Sequence, residues 1–214
     1  ANVATSIEKI LQEIRNLQRT EIGEVAEAFD SKKQVGSSTM AHKKNPITAE
    51  NACGLARIVR SMIIPSYENA LLWHERDLAN SSSERFTLSH SMILLDDVIA
   101  KCDRVLSGLA VDRSRMKKNI DSQNGLIMAE KIMLELVDRG MPRDIAHEEL
   151  RKASMIAVES GSNLEVVCRE SQSIMDVLDE SEISGLFEPD SHLGSSVQIV
   201  DRSIAIAREQ ISEK

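Results

Sequence analysis

Along the first stretch of the chain Val3, Ile7, Ile10, Ile14 and Leu17 recur at alternating spacings of four and three. That period lays one apolar stripe along a helix and packs it against a neighbour. It predicts a helix from residue 1 to about 27. Ala1 leads straight into the pattern with neither a cap nor a start methionine, which reads as the middle of a helix and so as a piece of a longer protein. A second helix is predicted from near Pro46, with Leu55, Ile58, Val59 and Met62 on its apolar face. Pro65 kinks or interrupts it, because a mid-helix proline removes a hydrogen bond, and a helical pattern resumes from Tyr67 to Leu72. Residues 73–80 are polar and predicted to be irregular. One of Ser81, Ser82 and Ser83 then offers an N-cap, with Glu84 in the first turn. Beyond it Leu88, Met92, Leu95, Ile99, Cys102, Leu106 and Leu109 repeat the alternating spacing. This is the clearest long-helix signal in the chain, and a seam of that length packs against other long helices, in the same chain or in a partner.

From Asp112 the helices become shorter, near 126–138, 143–159, 163–169 and 171–178, separated by Gly140, Pro142, Gly161, Gly185 and Pro189. Residues 190–196 form a Gly/Ser-bearing loop, and a last helix covers about 197–212. The expected fold is all-α: a partial long-helix bundle over 1–111, carrying a loop at 30–45, and a smaller helical domain over 112–214.

Composition narrows the function classes. Hydrophobic residues are 42% of the 214 and aromatics only 2%, which argues against β-sandwiches and aromatic nucleic-acid platforms. A net charge of −8 makes nucleic acid and anionic membranes poor partners. An anionic substrate would therefore need a local basic site. No apolar run is long enough to span a bilayer and there is no signal-peptide pattern. Cys53, Cys102 and Cys168 are odd in number and far apart, so they form neither a disulfide framework nor a metal site. They fit the reduced, buried thiols of a cytoplasmic protein.

The chemistry concentrates in residues 36–51. Gly36, Ser37 and Ser38 let backbone N–H groups approach an anion closely. Lys43, Lys44 and Asn45 lie just before Pro46. Asn45 suits an N-cap and Pro46 the first helical position, so the free N–H groups of a helix start would make an anion site for carboxylate or phosphate. The plain alternative is a polar inter-helix loop with a cap. A second constellation joins Trp73-His74-Glu75-Arg76-Asp77 to Ser81-Ser82-Ser83-Glu84-Arg85, two arginines and several hydroxyls near one helix start. Arginine binds carboxylate or phosphate in a fork. Alternatively Glu75, Asp77 and Glu84 neutralise both arginines as surface ion pairs.

The run Gly-Ser-Ser-x-Met-x-x-Lys-x-Asn-Pro at 36–46 resembles the signature loop of the fumarase/aspartase superfamily. One departure is Ala41, where that superfamily has proline. Trp-His-Glu-Arg-Asp with Ser-Ser-x-Glu-Arg, and Gln18-Arg19-Thr20-Glu21 ahead of the loop, are similar to the adenylosuccinate lyase family within it. The similarity is strongest over residues 1–109. The resemblance implies a β-elimination that releases fumarate from a nucleotide substrate, with no metal or organic cofactor. It makes Ser37 the base, with Lys43 stabilising its alkoxide. Lys43 and Asn45 would hold the succinyl carboxylates, and Ser38 and Asn51 are further binding positions. Glu50 would orient a histidine, and Arg76, Ser81 and Arg85 would take the phosphate end. It also implies a homotetramer with each active site drawn from three subunits. The family's two active-site histidines lie in a region that this chain lacks, and His42, His74, His90, His147 and His192 do not replace them. The chain alone is therefore expected to be inactive. Neighbouring families, argininosuccinate lyases and cycloisomerases, stay open, as does a non-catalytic helical oligomerisation module.

Overall fold

The computed structural model describes residues 1–28 and 44–212. Among them the regular structure is helical apart from one short antiparallel pair, Val25–Ala26 (β1) with Ala110–Val111 (β2), in which Val25 pairs with Val111 and Ala26 with Ala110. The all-α class that the hydrophobic pattern predicts is the class observed. The chain divides into two compact units, Ala1–Lys117 and Lys118–Lys214.

The first unit is built around α2 (Ile47–Ser61), against which α1 (Asn2–Leu17) and α4 (Ala79–Ser107) both pack. The face that α2 offers is made of small residues, Ala49, Ala52, Cys53 and Ala56, at the spacings that share one side of a helix. Small side chains there let the neighbouring backbones come close. Leu11 and Ile14 of α1 and Cys102 and Val105 of α4 meet Ala49, Ala52 and Cys53 in one apolar cluster. Ala4, Ala56 and Val59 form a second, with Leu94 and Leu95 against it.

This packing corrects both predicted seams. In α1 the buried residues are Ala4, Leu11 and Ile14, whereas Val3 and Ile10 are about half exposed. Ile14 and Ile7 keep to the predicted seam, while Ala4 and Leu11 take the places expected for Val3 and Ile10. In α4 the buried stripe is Thr87, Val98, Cys102 and Val105. Of the predicted seam, Leu88, Met92, Ile99 and Leu106 are 61%, 69%, 46% and 45% exposed. The long heptad signal thus marks mainly a face that the described residues leave uncovered.

The helix ends also differ from expectation. α1 stops at Leu17, not near residue 27. The Arg19 carbonyl accepts the N–H of Ile22 at 3.0 Å and of Gly23 at 2.7 Å, and Gly23 takes φ +63, a left-handed turn that only glycine adopts without cost. The break between α2 and α3 (Ile63–Glu68) falls at Met62, which leaves Pro65 in the first turn of α3, where its missing N–H costs least. α4 begins at Ala79 with Leu78 at the cap position, so none of Ser81, Ser82 and Ser83 is its N-cap.

In the second unit α6 (Ala129–Asp138), α7 (Arg143–Ser160) and α8 (Leu164–Glu170) enclose one core. Ile132, Leu136, Leu150, Leu164 and Ile174 lie at its centre, the last on α9 (Gln172–Met175). Two helices are additional to those predicted, α5 (Arg113–Asp121) and α10 (Glu180–Phe187). The α10 start is a capping box: the Glu182 N–H donates to Asp179 at 2.8 Å, and the Asp179 N–H donates to the Glu182 carboxylate at 2.9 Å. Gly185, expected to break a helix, lies inside α10, which buries Ile183 and Leu186. The last helix, α11 (Ser196–Ser212), matches its expected span and buries none of its residues.

Leu136 is fully buried in the second core, so Leu136→Ala is expected to cost about 2–5 kcal/mol in chemical denaturation, transfer and cavity costs together. A second prediction concerns Glu8 of α1, which is paired with Arg57 at 3.1 Å and with Arg60 on α2. Burial pushes the Glu8 carboxyl up, but the hydrogen bonds and charges of Arg60 and Arg57 more than offset it, so the folded value lies below the ordinary 4.5. A depressed folded pKa stabilises the fold above 4.5, and the contribution disappears as pH falls through the folded value. Glu8→Gln should therefore cost about 1 kcal/mol at neutral pH, and the difference from wild type should close as denaturation is repeated at progressively lower pH.

Candidate active site

Just past the end of α1, the Gln18 side chain makes a bracket. Its Oε1 accepts the Glu27 N–H at 2.8 Å, and its Nε2 donates to the Lys44 carbonyl at 3.0 Å. Glu27 then reaches the start of α2, where its Oε1 accepts the Thr48 N–H at 3.2 Å and its Oε2 the Ala49 N–H at 3.1 Å. The first N–H groups of a helix have no acceptor within it, and the helix dipole favours a negative charge there. Glu27, only 8% exposed, supplies both.

This corrects the expectation of an open anion site at the helix start. The N–H groups of Thr48 and Ala49 already serve a protein carboxylate. Asn45 is not the cap: α2 begins at Ile47, and Pro46 stands at the cap position with φ −77 and ψ 66. Those angles belong to a tight three-residue turn, closed by the Ile47 N–H donating to the Asn45 carbonyl at 2.9 Å.

The turn after α1 is held by Arg115 of α5. Its Nε donates to the Ile22 carbonyl at 2.9 Å, and its Nη2 to the carbonyls of Thr20 at 3.1 Å and Glu21 at 3.0 Å. Between this turn and the start of α2 lies a cleft of about 960 Å³, with Arg15, Arg19 and Thr20 on one wall and Lys44, Asn45 and Glu50 on the other. That is room for a small molecule. Three cations, Arg15, Arg19 and Lys44, face two carboxylates, Glu21 and Glu50, so the wall leans positive in a chain whose net charge is −8. Among the described residues the Nε of Arg15 is buried without a hydrogen-bond partner. Such a lining can take up an anionic ligand by charge-assisted hydrogen bonds.

Of the residues expected to form the site, Asn45 and Glu50 line this cleft. Ser37, Ser38 and Lys43 lie outside the described residues. Asn51, next along α2, is exposed and is not part of the cleft wall, and neither are Arg76, Ser81 and Arg85. Arg76 sits in the irregular stretch before α4, and Ser81 and Arg85 in its first two turns. The Asp77 carboxylate accepts the N–H of Ala79 at 2.8 Å and of Trp73 at 2.9 Å. These two bonds, Ala79's the stronger influence, hold its carboxyl below the usual carboxylate range. Glu84 accepts from the Asn80 amide at 3.0 Å. Of the three acids that were candidate partners, Asp77 and Glu84 are thus engaged elsewhere, and among the described residues no ion pair involves Glu75, Arg76 or Arg85. The surface ion-pair alternative is not what the structure forms. His74, in the same stretch, has φ 50, an uncommon left-handed backbone for a residue with a side chain.

Gln18, Glu27, Arg15 and Arg115 carry the architecture of the cleft and were not singled out by sequence for it. Gln18 stood in the Gln-Arg-Thr-Glu segment, a usable signal. Glu27 had none, since its partners are 21 and 22 positions away.

Residues 1–61, which include the cleft, match a family described as Lyase, and residues 125–203 match one described as Adenylosuccinate lyase C-terminus. Adenylosuccinate lyase of Methanothermobacter thermautotrophicus is 48% identical over 202 residues, covering 94% of this chain and 45% of the relative. That of Pyrococcus abyssi is 46% identical over 209 residues, covering 98% and 46%. Over nearly its whole length the chain is similar to adenylosuccinate lyases. It spans about half the length of the curated relatives it matches. The fold is similar to solved structures as well. A 3-carboxy-cis,cis-muconate lactonizing enzyme from Pseudomonas putida gives a TM-score of 0.83 at 30% identity, covering 95% of this chain and 44% of that one. A fumarate lyase from a Mesorhizobium species gives 0.81 at 28%, covering 94% and 43%.

Proposed function

We propose that this chain is part of an enzyme that eliminates fumarate from adenylosuccinate to leave AMP, and from the succinyl-aminoimidazole-carboxamide ribotide, in cytoplasmic purine biosynthesis. The observation that carries this reading is identity of 42–48% over nearly the whole chain to relatives named adenylosuccinate lyase. The mechanism is β-elimination. A base removes a weakly acidic proton beside a carboxylate, the charge spreads onto that carboxylate, and an acid protonates the departing nitrogen. Ser37 is the base, with Lys43 offsetting the charge on its alkoxide. Lys43 and Asn45 hold the succinyl carboxylates, Ser38 and Asn51 are further binding positions, and fixed donors aimed at the doubly charged intermediate lower the barrier. The basic cleft that Asn45 and Glu50 line supports this half of the assignment. Glu50 orients a histidine that reaches the site from elsewhere. Arg76, Ser81 and Arg85 take the phosphate, a role supported by two guanidinium groups without protein counter-ions among the described residues. A homotetramer fits the uncovered stripe of Leu88, Met92, Ile99 and Leu106 on α4. That same stripe favours the second reading, a helical oligomerisation module without catalysis of its own.

Fumarate release from adenylosuccinate, measured on this chain and on the product of its complete gene, separates the readings. Release by the complete product alone is expected. Release by neither would point to the neighbouring lyases and call for their substrates, and oligomers with no release from any of these substrates would leave the oligomerisation module. In the complete product, Ser37→Ala should abolish turnover while substrate binding survives, and near-normal turnover would remove Ser37 as the base. Arg85→Ala should raise the apparent substrate constant by an amount worth about 1.5–3 kcal/mol, the loss of a charged hydrogen bond.

A further inference from the structure

We propose that Gln18 and Glu27 are positioning residues for this elimination: through four hydrogen bonds they set where the first turn of α2, with Asn45 and Glu50, stands against α1. The inference rests on the proposed function and deepens it.

A helix start is usually satisfied by its own cap residue, so that the cap travels with the helix. Here Pro46 offers no side-chain acceptor, and the acceptor is Glu27, which lies outside α2. Its two carboxylate oxygens meet two successive N–H groups, Thr48 and Ala49. Two bonds to one planar group restrain rotation of the helix start as well as its distance. Glu27 is itself placed by the Gln18 carboxamide, whose other end holds the Lys44 carbonyl. Gln18 also lines the cleft, beside Arg15 and Arg19. One side chain at the end of α1 therefore sets the approach of both walls. In sequence Glu27 and Lys44 flank the stretch that holds Ser37 and Lys43, so the same carboxamide sets the separation of its two flanks.

A carboxylate that only stabilised α2 would affect folding and leave the chemistry of folded molecules alone. A positioning residue lowers turnover in protein that is folded, because small displacements of reacting groups are costly. Gln18→Glu keeps an acceptor for the Glu27 N–H and replaces the donor to Lys44 by a charged carboxylate oxygen. Glu27→Gln keeps the size and one acceptor, and sets an amide NH2 against a second N–H.

The experiment uses the product of the complete gene with adenylosuccinate as substrate. It compares wild type, Gln18→Glu, Glu27→Gln and, as a control on the exposed side of α1, Glu13→Gln. Readouts are kcat and KM per folded protein, the thermal midpoint, and hydrogen exchange at the Thr48 and Ala49 amides. In both test variants kcat should fall about 10- to 100-fold with KM within about threefold of wild type, and the control should match wild type. Exchange at Thr48 and Ala49 should speed up in Glu27→Gln. If the test variants keep wild-type kcat, the inference falls alone. It also falls if activity drops only in proportion to the folded fraction, or if neither variant folds, since the role is then purely structural. If wild type releases no fumarate, the function reading falls and takes this inference with it.

Discussion

A helix that starts inside a protein points N–H groups at whatever lies beyond its end, and leaving them unmatched costs more than a single hydrogen bond returns. In this chain the helix concerned is α2, whose cap position is a proline, and the missing acceptor is the buried carboxylate of Glu27. The consequences spread because α2 is the element on which α1 and α4 both rest. Glu27 answers to Gln18, and Gln18 answers to where α1 ends, which Gly23 and the Arg115 clamp on Thr20, Glu21 and Ile22 decide. Helix end, cleft and helix start form one connected arrangement of polar groups, each with a partner that sequence distance would not suggest.

The apolar side of the first unit follows a different logic. α2 presents alanines and a cysteine, so α1 and α4 approach on their own smaller or better-fitting residues, Ala4 and Leu11 on one, Val98 and Val105 on the other. Bulkier residues on both helices are displaced outward. Under the proposed function that outward stripe is where further copies pack. The second unit needs nothing of the kind at its centre, where a continuous cluster from Met128 to Leu186 closes on itself. Burial there pushes the Cys168 thiol up to about 12, which keeps it protonated and unreactive.

The helical class and the helices near 143–159 and 197–212 were legible from the spacing of apolar residues alone, since local periodicity needs no knowledge of a partner. α10 was legible too, through Asp179 and Glu182, though Gly185 and Pro189 drew the reading elsewhere. For the candidate site, Asn45 and Glu50 were found from motif and resemblance, and they line one cleft. Glu27 was not found, because a glutamate is an ordinary surface residue until something 21 positions on turns its N–H groups toward it.

By itself the sequence determined that this chain is helical, where most of its helices lie, and which residues carry the adenylosuccinate lyase resemblance. These are properties of short windows, set by side-chain spacing and backbone preference. Only the tertiary structure decided which face of α1 and α4 is buried and that the start of α2 is occupied. Both faces of α1 hold apolar residues, Val3 and Ile10 on one, Ala4 and Leu11 on the other. The choice between them belongs to the shape of the neighbouring helix, and the acceptor for Thr48 and Ala49 belongs to a chain reversal that local patterns do not encode.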